Sequence, residues 1–163
     1  TRPHRTKVIA LAKRRLYKLS DINTKKPMVY LEEPKDLENI GAVIRVAAGA
    51  DAGAVCISGP VDVWHPAVIR GAAGLHFALP VMNTTMESLE DLNRPLVSLD
   101  PTGDEVSFSD SLLKAILIFG TERHGINPQT LAKSDTIIRL PMKSGVSSLN
   151  LATSVAATLY RIP

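Results

Sequence analysis

Residues 140–156, LPMKSGVSSLNLATSVA, join an apolar segment to an Ala-, Ser- and Thr-rich helical pattern through Lys143, Ser144, Gly145, Val146, Ser147 and Ser148. This loop offers hydroxyls, backbone N–H groups and a glycine with little side-chain bulk, so a ligand or another stretch of backbone can lie close against it. Two other segments are also rich in glycine and polar groups: LEEPKDLENIGAVIR (31–45) and FGTERHGINP (119–128). They hold carboxylates, amides, hydroxyls and arginines, the groups that bind and orient a ligand and respond to developing charge. Commoner chemistries are missing. The chain has no GxGxxG, no GxxxxGK followed by Ser or Thr, and no GxSxG nucleophile elbow. His4, His65, His76 and His124 show no metal-ligand spacing and the single Cys56 adds no zinc site, so no metal is expected.

The elements that must position these loops follow from hydrophobic periodicity. Strands are expected at 28–31, 54–58, 77–80, 96–99, 115–119 and 136–140, and helices at 37–50, 66–73, 86–92, 128–133 and 149–161. Alternating strands and helices predict an α/β domain, a mostly parallel sheet with helices on both faces. Ligands gather in such sheets where strands deliver their carboxyl ends. The three loops follow the first, fifth and sixth expected strands. Ahead of them Val8, Ile9, Leu11, Ala12, Leu16 and Leu19 recur at helical spacing among basic residues, which predicts an amphipathic helix over 7–19. Residues 1–26 are therefore expected to form a basic extension, linked through 20–27 to one domain over 27–163.

Composition agrees with one globular domain: 163 residues, 45% hydrophobic and 21% charged. The net charge of +3 is unevenly spread. Nine basic residues in 1–26 stand against Asp21 alone, giving +8, so the remaining residues sum to −5. Such a segment suits a phosphate backbone, whose binding releases counterions, and equally a solvated basic helix. No apolar run is long enough to span a membrane, the start lacks the h-region of a signal peptide, and one cysteine forms no intramolecular disulfide. A cytoplasmic protein without a membrane partner is expected, and the sequon at 83–85 is then a chance match. The chain begins with Thr, as a processed product or an excised domain does.

Taken in order, NIGAVIR (39–45), FGTERHGI (119–126) and LPMKSGVSSLNLATSVA (140–156) resemble the three motifs of the SpoU family of RNA ribose 2′-O-methyltransferases, in the SPOUT superfamily. DVWHPAVIRGAAGLHFALPV (62–81) is similar to the family's intervening segment, and the resemblance runs from about Met28 to Ile162. It implies a deep trefoil knot over roughly 115–163 and S-adenosylmethionine held bent against backbone groups. It also implies methyl transfer to a ribose 2′-OH of tRNA or rRNA, S-adenosylhomocysteine as the product, and a homodimer whose active site is completed across the interface. Ala72 stands where many relatives have serine, and many members carry an additional RNA-binding domain or longer extensions. A protein that keeps the fold but only binds RNA is the competing reading. A SPOUT enzyme that methylates a base nitrogen fits the Asn39–Arg45 and Ser148–Asn150 pairs less well.

Residue by residue, the resemblance places Arg45, Asn39, Glu122, Ser148 and Asn150 in the catalytic set. Arg45 is tied to deprotonation of the 2′-OH. A guanidinium is a poor base, however, and orienting the hydroxyl or stabilising oxyanion charge beside a phosphate requires the same residue. Asn39 either caps its helix or bonds substrate, and Glu122 is the carboxylate that holds Arg45 or its loop. Ser148 is either the N-cap of the last helix or a phosphate contact. Leu99, Gly120, Ile138, Leu140, Met142, Ser148 and Leu149 are implied as cofactor-binding, with Leu140 and Leu149 enclosing adenine. Arg45, Ser148, Arg14, Arg15 and Lys18 are expected to bind RNA, while Arg123 and His124 face solvent.

Overall fold

The computed structural model describes residues 11, 13–105, 109–121, 124–146 and 148–163. Strand β1 (Met28–Leu31) leads into helix α1 (Leu37–Gly49), followed by β2 (Ala54–Ile57), α2 (Pro66–Gly71), β3 (Val81–Asn83) and α3 (Met86–Glu90). Next come β4 (Leu96–Asp104), β5 (Ile116–Phe119), α4 (Pro128–Lys133), β6 (Thr136–Ile138) and α5 (Leu151–Leu159). The strands form one parallel sheet in the order β3-β2-β1-β5-β4-β6. All four residues of β1 and all four of β5 are buried, as two-sided burial in a parallel sheet requires.

Alternation along β1 divides the interior. Val29 and Leu31 face a core shared with Ile40, Val43, Ile44 and Ala47 of α1, Val68 of α2, and Leu151, Val155 and Leu159 of α5. Met28 and Tyr30 face a second core with Met86 and Leu89 of α3, Ile126, and Leu131 of α4. Helices thus cover both faces, and each fully buried Ile, Leu or Val contributes about 1.5–3 kcal/mol. Helices α1 and α2 approach closely through glycine: a Cβ on Gly41 would lie 2.5 Å from the Val68 carbonyl oxygen and 2.7 Å from Gly71 Cα. Asp36 caps α1, accepting from the N–H groups of Glu38 (2.8 Å) and Asn39 (2.9 Å).

Several expected elements differ. Residues 77–80 are not a strand: Leu75–Phe77 is a 3-10 turn after Ala73 (φ 49°) and Gly74 (φ 86°), and β3 starts only at Val81. Pro80 has no N–H for the ladder, although its carbonyl accepts from Val55 at 2.9 Å. β4 runs five residues past Leu99 through a register shift that pairs Asp104 with Ile138. Of the helix expected over 7–19, residues 7–10 and 12 lie outside the described residues, whereas 11 and 13–18 carry no helix. Leu11 is 99% exposed and Leu16 82%, so these two residues of the stripe bury almost nothing, and a short unpacked helix is marginal in water. The chain joins the core only from Tyr17, Leu19 and Ile22 onward.

Candidate functional site

The carboxyl ends of β4 and β5, the loop after β6 and the start of α5 surround a cleft of about 330 Å³. Leu99, Asp100 and Pro101 form one wall, Phe119, Gly120, Thr121 and Gly125 a second, and Leu140, Met142, Ser148 and Leu149 a third, closed by Leu151 and Ser154. β5 ends in a tight loop in which the N–H of Thr121 donates to the Gly125 carbonyl (3.1 Å) and the N–H of Gly125 to the Thr121 carbonyl (3.0 Å). A Cβ on Gly120 would fall 2.0 Å from the Gly125 carbonyl carbon, so glycine is required there by contact alone. Gly125 needs its freedom for another reason, a φ of 67°. Asp100 is the single ionisable side chain among the described lining residues. Its Oδ1 accepts from the Thr102 N–H (2.9 Å) and hydroxyl (2.6 Å), which fixes the carboxylate at the wall. Apolar walls with one fixed carboxylate favour a ligand that is part apolar and part cationic.

Beside the cleft, α1 and α5 run parallel, with their first turns side by side. Asn150 Nδ2 donates to Asn39 Oδ1 at 3.0 Å across a separation of 111 residues, while Gly49 at the other end of α1 lies under the Tyr160 hydroxyl. Asn150, not Ser148, is the N-cap of α5, its Oδ1 accepting from the N–H groups of Ala152 (2.9 Å) and Thr153 (3.4 Å). The cap at α1 is likewise Asp36 and not Asn39. With the caps so assigned, Ser148 lines the cleft, and the Asn39 side chain meets Asn150.

Residues 26–160 match the SpoU rRNA Methylase family. The chain belongs to that family. It is 28% identical over 148 residues to the 23S rRNA (guanosine(2553)-2′-O)-methyltransferase RlmP of Bacillus subtilis, covering 85% of this chain and 58% of RlmP. It is 32% identical over 142 residues to the 23S rRNA (guanosine-2′-O-)-methyltransferase RlmB of Pseudomonas syringae, covering 82% of this chain and 56% of RlmB. The solved SpoU methyltransferase AviRb of Streptomyces viridochromogenes, in complex with AdoMet, superposes with a TM-score of 0.79 at 26% identity, covering 88% of this chain and 62% of AviRb. The chain thus spans a little over half the length of these curated relatives.

Of the SpoU residues singled out in the sequence, Leu99, Gly120, Leu140, Met142, Ser148 and Leu149 all line the cleft. Ile138 does not; its side chain is 1% exposed and packs in the core. Glu122 and Arg123 lie outside the described residues. Arg45 is exposed and stands on the flank of α1 shared with Gly41, towards α2, so a single chain does not bring it to the cleft lining. Among the described residues its guanidinium forms no ion pair. Arg14 packs over Trp64 at 5.7 Å and Arg15 over Tyr17 at 4.8 Å, while the Lys18 side chain is exposed. Sequence reasoning missed Asp100, Thr121 and Ser154. Asp100 follows the expected β4 directly, so the carboxyl-end rule was signal enough to find it. No group of three or more His, Cys, Asp or Glu that could hold a metal occurs among the described residues, and no helix among them is long and apolar enough to cross a membrane.

Proposed function

We propose that the chain uses S-adenosylmethionine to methylate a ribose 2′-OH of tRNA or rRNA, leaving S-adenosylhomocysteine. The observation that carries this reading is the Asn39–Asn150 bond: it joins the first and third SpoU motifs at the rim of a cleft whose third wall is the third-motif loop. The cleft suits the methyl donor. Leu140, Leu149 and Phe119 give adenine apolar surfaces, the backbone around Gly120 gives its edges hydrogen-bond partners, and Asp100 offers the nearby carboxylate that a cationic donor prefers. When bound, the donor supplies an electrophilic methyl group for in-line displacement. The protein's part is to hold the acceptor oxygen near 3 Å from that carbon and to ease loss of its proton.

A guanidinium is a poor base, so Arg45 serves by orienting the hydroxyl and stabilising charge on its oxygen, with an RNA phosphate as its partner. Ser148 and Asn39 are donors and acceptors for the same sugar and phosphate. Glu122 is assigned the restraint of Arg45 or its loop. Because Arg45 stands outside the cleft lining of its own chain, the reading includes a homodimer in which the partner subunit completes each site; the exposed flanks of α1 and α5 supply surface for it. It also includes a trefoil knot in the C-terminal third, which the resemblance of the three motifs implies. Residues 1–26 are assigned as the RNA-binding extension of the domain over 27–163, and the cytoplasm as its location.

Calorimetry with S-adenosylmethionine and tritium transfer to bulk tRNA and rRNA test this reading. The Arg45→Ala variant is expected to lose methyl transfer and keep its affinity for the donor. Full activity in that variant removes Arg45 from the mechanism, and no donor binding by the wild-type protein favours the non-catalytic RNA-binding alternative. Sedimentation analysis reads the dimer.

A further inference from the structure

A second and larger cavity, about 860 Å³, opens at the carboxyl ends of β1, β2 and β3 and reaches the loop after β5. Its volume falls in the range of small-molecule sites, about 300–1,000 Å³. It occupies the crevice between β1 and β5, where strand order reverses, since β2 and β3 extend to one side and β4 and β6 to the other. That is the ordinary ligand position of an open parallel sheet, and the methyl-donor cleft lies elsewhere, between the ends of β4, β5 and β6. The two cavities share Thr121 and Gly125, so a single loop separates them.

The floor of the groove is apolar, with Ile57, Met86 and Ile126, and its rim is polar. Asn83 donates its Nδ2 to the Val61 carbonyl at 2.9 Å, which leaves Oδ1 as its open acceptor. Ser58 Oγ accepts from the Glu33 N–H at 2.9 Å and holds Glu33 at the rim with a φ of 43°. Glu32 is already engaged by the Asn127 N–H at 2.6 Å and the Thr130 hydroxyl, so it braces the wall. Glu33 forms no ion pair among the described residues, and Gln129, also exposed, lines the same groove. Three carboxylates, on Glu32, Glu33 and Glu87, against Lys35 make the groove unsuited to a phosphate and well suited to hydrogen-bond donors on a neutral ring.

Resting on the reading above, we propose that this groove receives the base of the nucleotide whose ribose is methylated, and selects a base carrying an exocyclic amino group. A sugar poised at the donor cleft must place its base within one ring's length. A base taken out of its stack needs a shaped pocket in exchange, and the groove across the Thr121–Gly125 loop is the adjoining concave space. Glu33 and Asn83 accept from the amino group, and Gln129 reads the neighbouring ring edge.

The test combines two measurements on the full chain. Amide NMR of protein saturated with S-adenosylhomocysteine is followed as cytidine, guanosine or uridine is added to millimolar concentration. Shifts are expected at Thr84, His124 and Gln129, at lower concentrations of cytidine and guanosine than of uridine, and weakened in the Glu33→Gln/Gln129→Ala variant. In parallel, methyl transfer to unmodified tRNA and rRNA transcripts is expected to show KM for RNA raised about tenfold in that variant, with a smaller change in kcat and unchanged affinity for S-adenosylhomocysteine. No shifts at the groove, equal response to uridine, or a wild-type KM in the variant overturns the proposal. Absence of methylation of every RNA by the wild-type protein sinks the methyltransferase reading instead, and the nucleoside titration then decides the groove by itself.

Discussion

Asn150 performs two separable tasks, and replacing it by aspartate or alanine distinguishes them. Its Oδ1 caps α5 through the N–H groups of Ala152 and Thr153, and its Nδ2 bonds Asn39 Oδ1 at 3.0 Å. Asn150→Ala removes both. Loss of an N-cap costs about 1 kcal/mol, and loss of a neutral hydrogen bond costs about another. At about 2–4 °C per kcal/mol for a domain of this size, Tm should fall by about 4–8 °C. Asn150→Asp keeps the cap, because Asp and Asn cap equally well, and gains about 0.3–1 kcal/mol from a carboxylate at the helix N-terminus. It loses only the bond to Asn39, where an oxygen now faces an oxygen. Its stability should lie within about 1 kcal/mol of wild type. If the Asn39–Asn150 bond aligns the two motifs for chemistry, the stable Asp variant should still methylate about 10²-fold more slowly, the scale set by misplacing a reacting group by about 1 Å. Thermal unfolding at fixed protein concentration and single-turnover methyl transfer read the two effects separately. An Asp variant as unstable as the Ala variant refutes the capping assignment, and an Asp variant with wild-type turnover refutes the link between the motifs.

Gly41→Ala should destabilise despite the better helix propensity of alanine, worth about 1 kcal/mol. The new Cβ would meet three backbone atoms of α2 and its C-cap Ala72 within 2.9 Å, so a net loss of about 1–3 kcal/mol is expected as a lower urea midpoint at unchanged slope. Burial lowers the pKa of His76, whose ring nitrogens find no partner, between Trp64 and Phe77. A depressed pKa means that its contribution is fully present above the unfolded value of about 6.5 and is lost as pH falls through the folded one. His76→Phe should flatten the fall in stability over that acidic window, measured by urea unfolding at stepped pH; an unchanged profile assigns the acid sensitivity elsewhere. Replacing Arg14, Arg15 and Lys18 by alanine should reduce the slope of log affinity for RNA against log salt by about 2 to 3 if all three meet phosphates. An unchanged slope leaves Arg14 and Arg15 as packing partners of Trp64 and Tyr17.

How far the sequence reached depended on whether the information was local. The strands at Met28–Leu31 and Ile116–Phe119 and the helix at Pro128–Lys133 were legible because apolar runs and a Pro at the first helical turn are local signals. The strand expected over 77–80 failed because an apolar run of four residues does not record a left-handed turn at Ala73 and Gly74, or the proline that delays pairing. The basic helix failed over its described part because periodicity states which face wants burial and not whether a partner surface exists. Six of the seven residues that the resemblance implies as cofactor-binding line one cleft, since they end strands or follow them, whereas the Ile138 side chain packs in the core.

Composition and pattern alone determined a parallel α/β domain whose polar and glycine-rich loops follow the carboxyl ends of its strands, because alternating burial and chain punctuation are properties of short segments. The three motifs, by their order, determined the family. Only the tertiary structure decided which polar groups meet: Asn39 with Asn150 over 111 residues, Asp100 at the cleft wall, and a second groove behind the Thr121–Gly125 loop. Those pairings depend on how two parallel helices and six strands pack in space, and sequence separation carries no record of such distances.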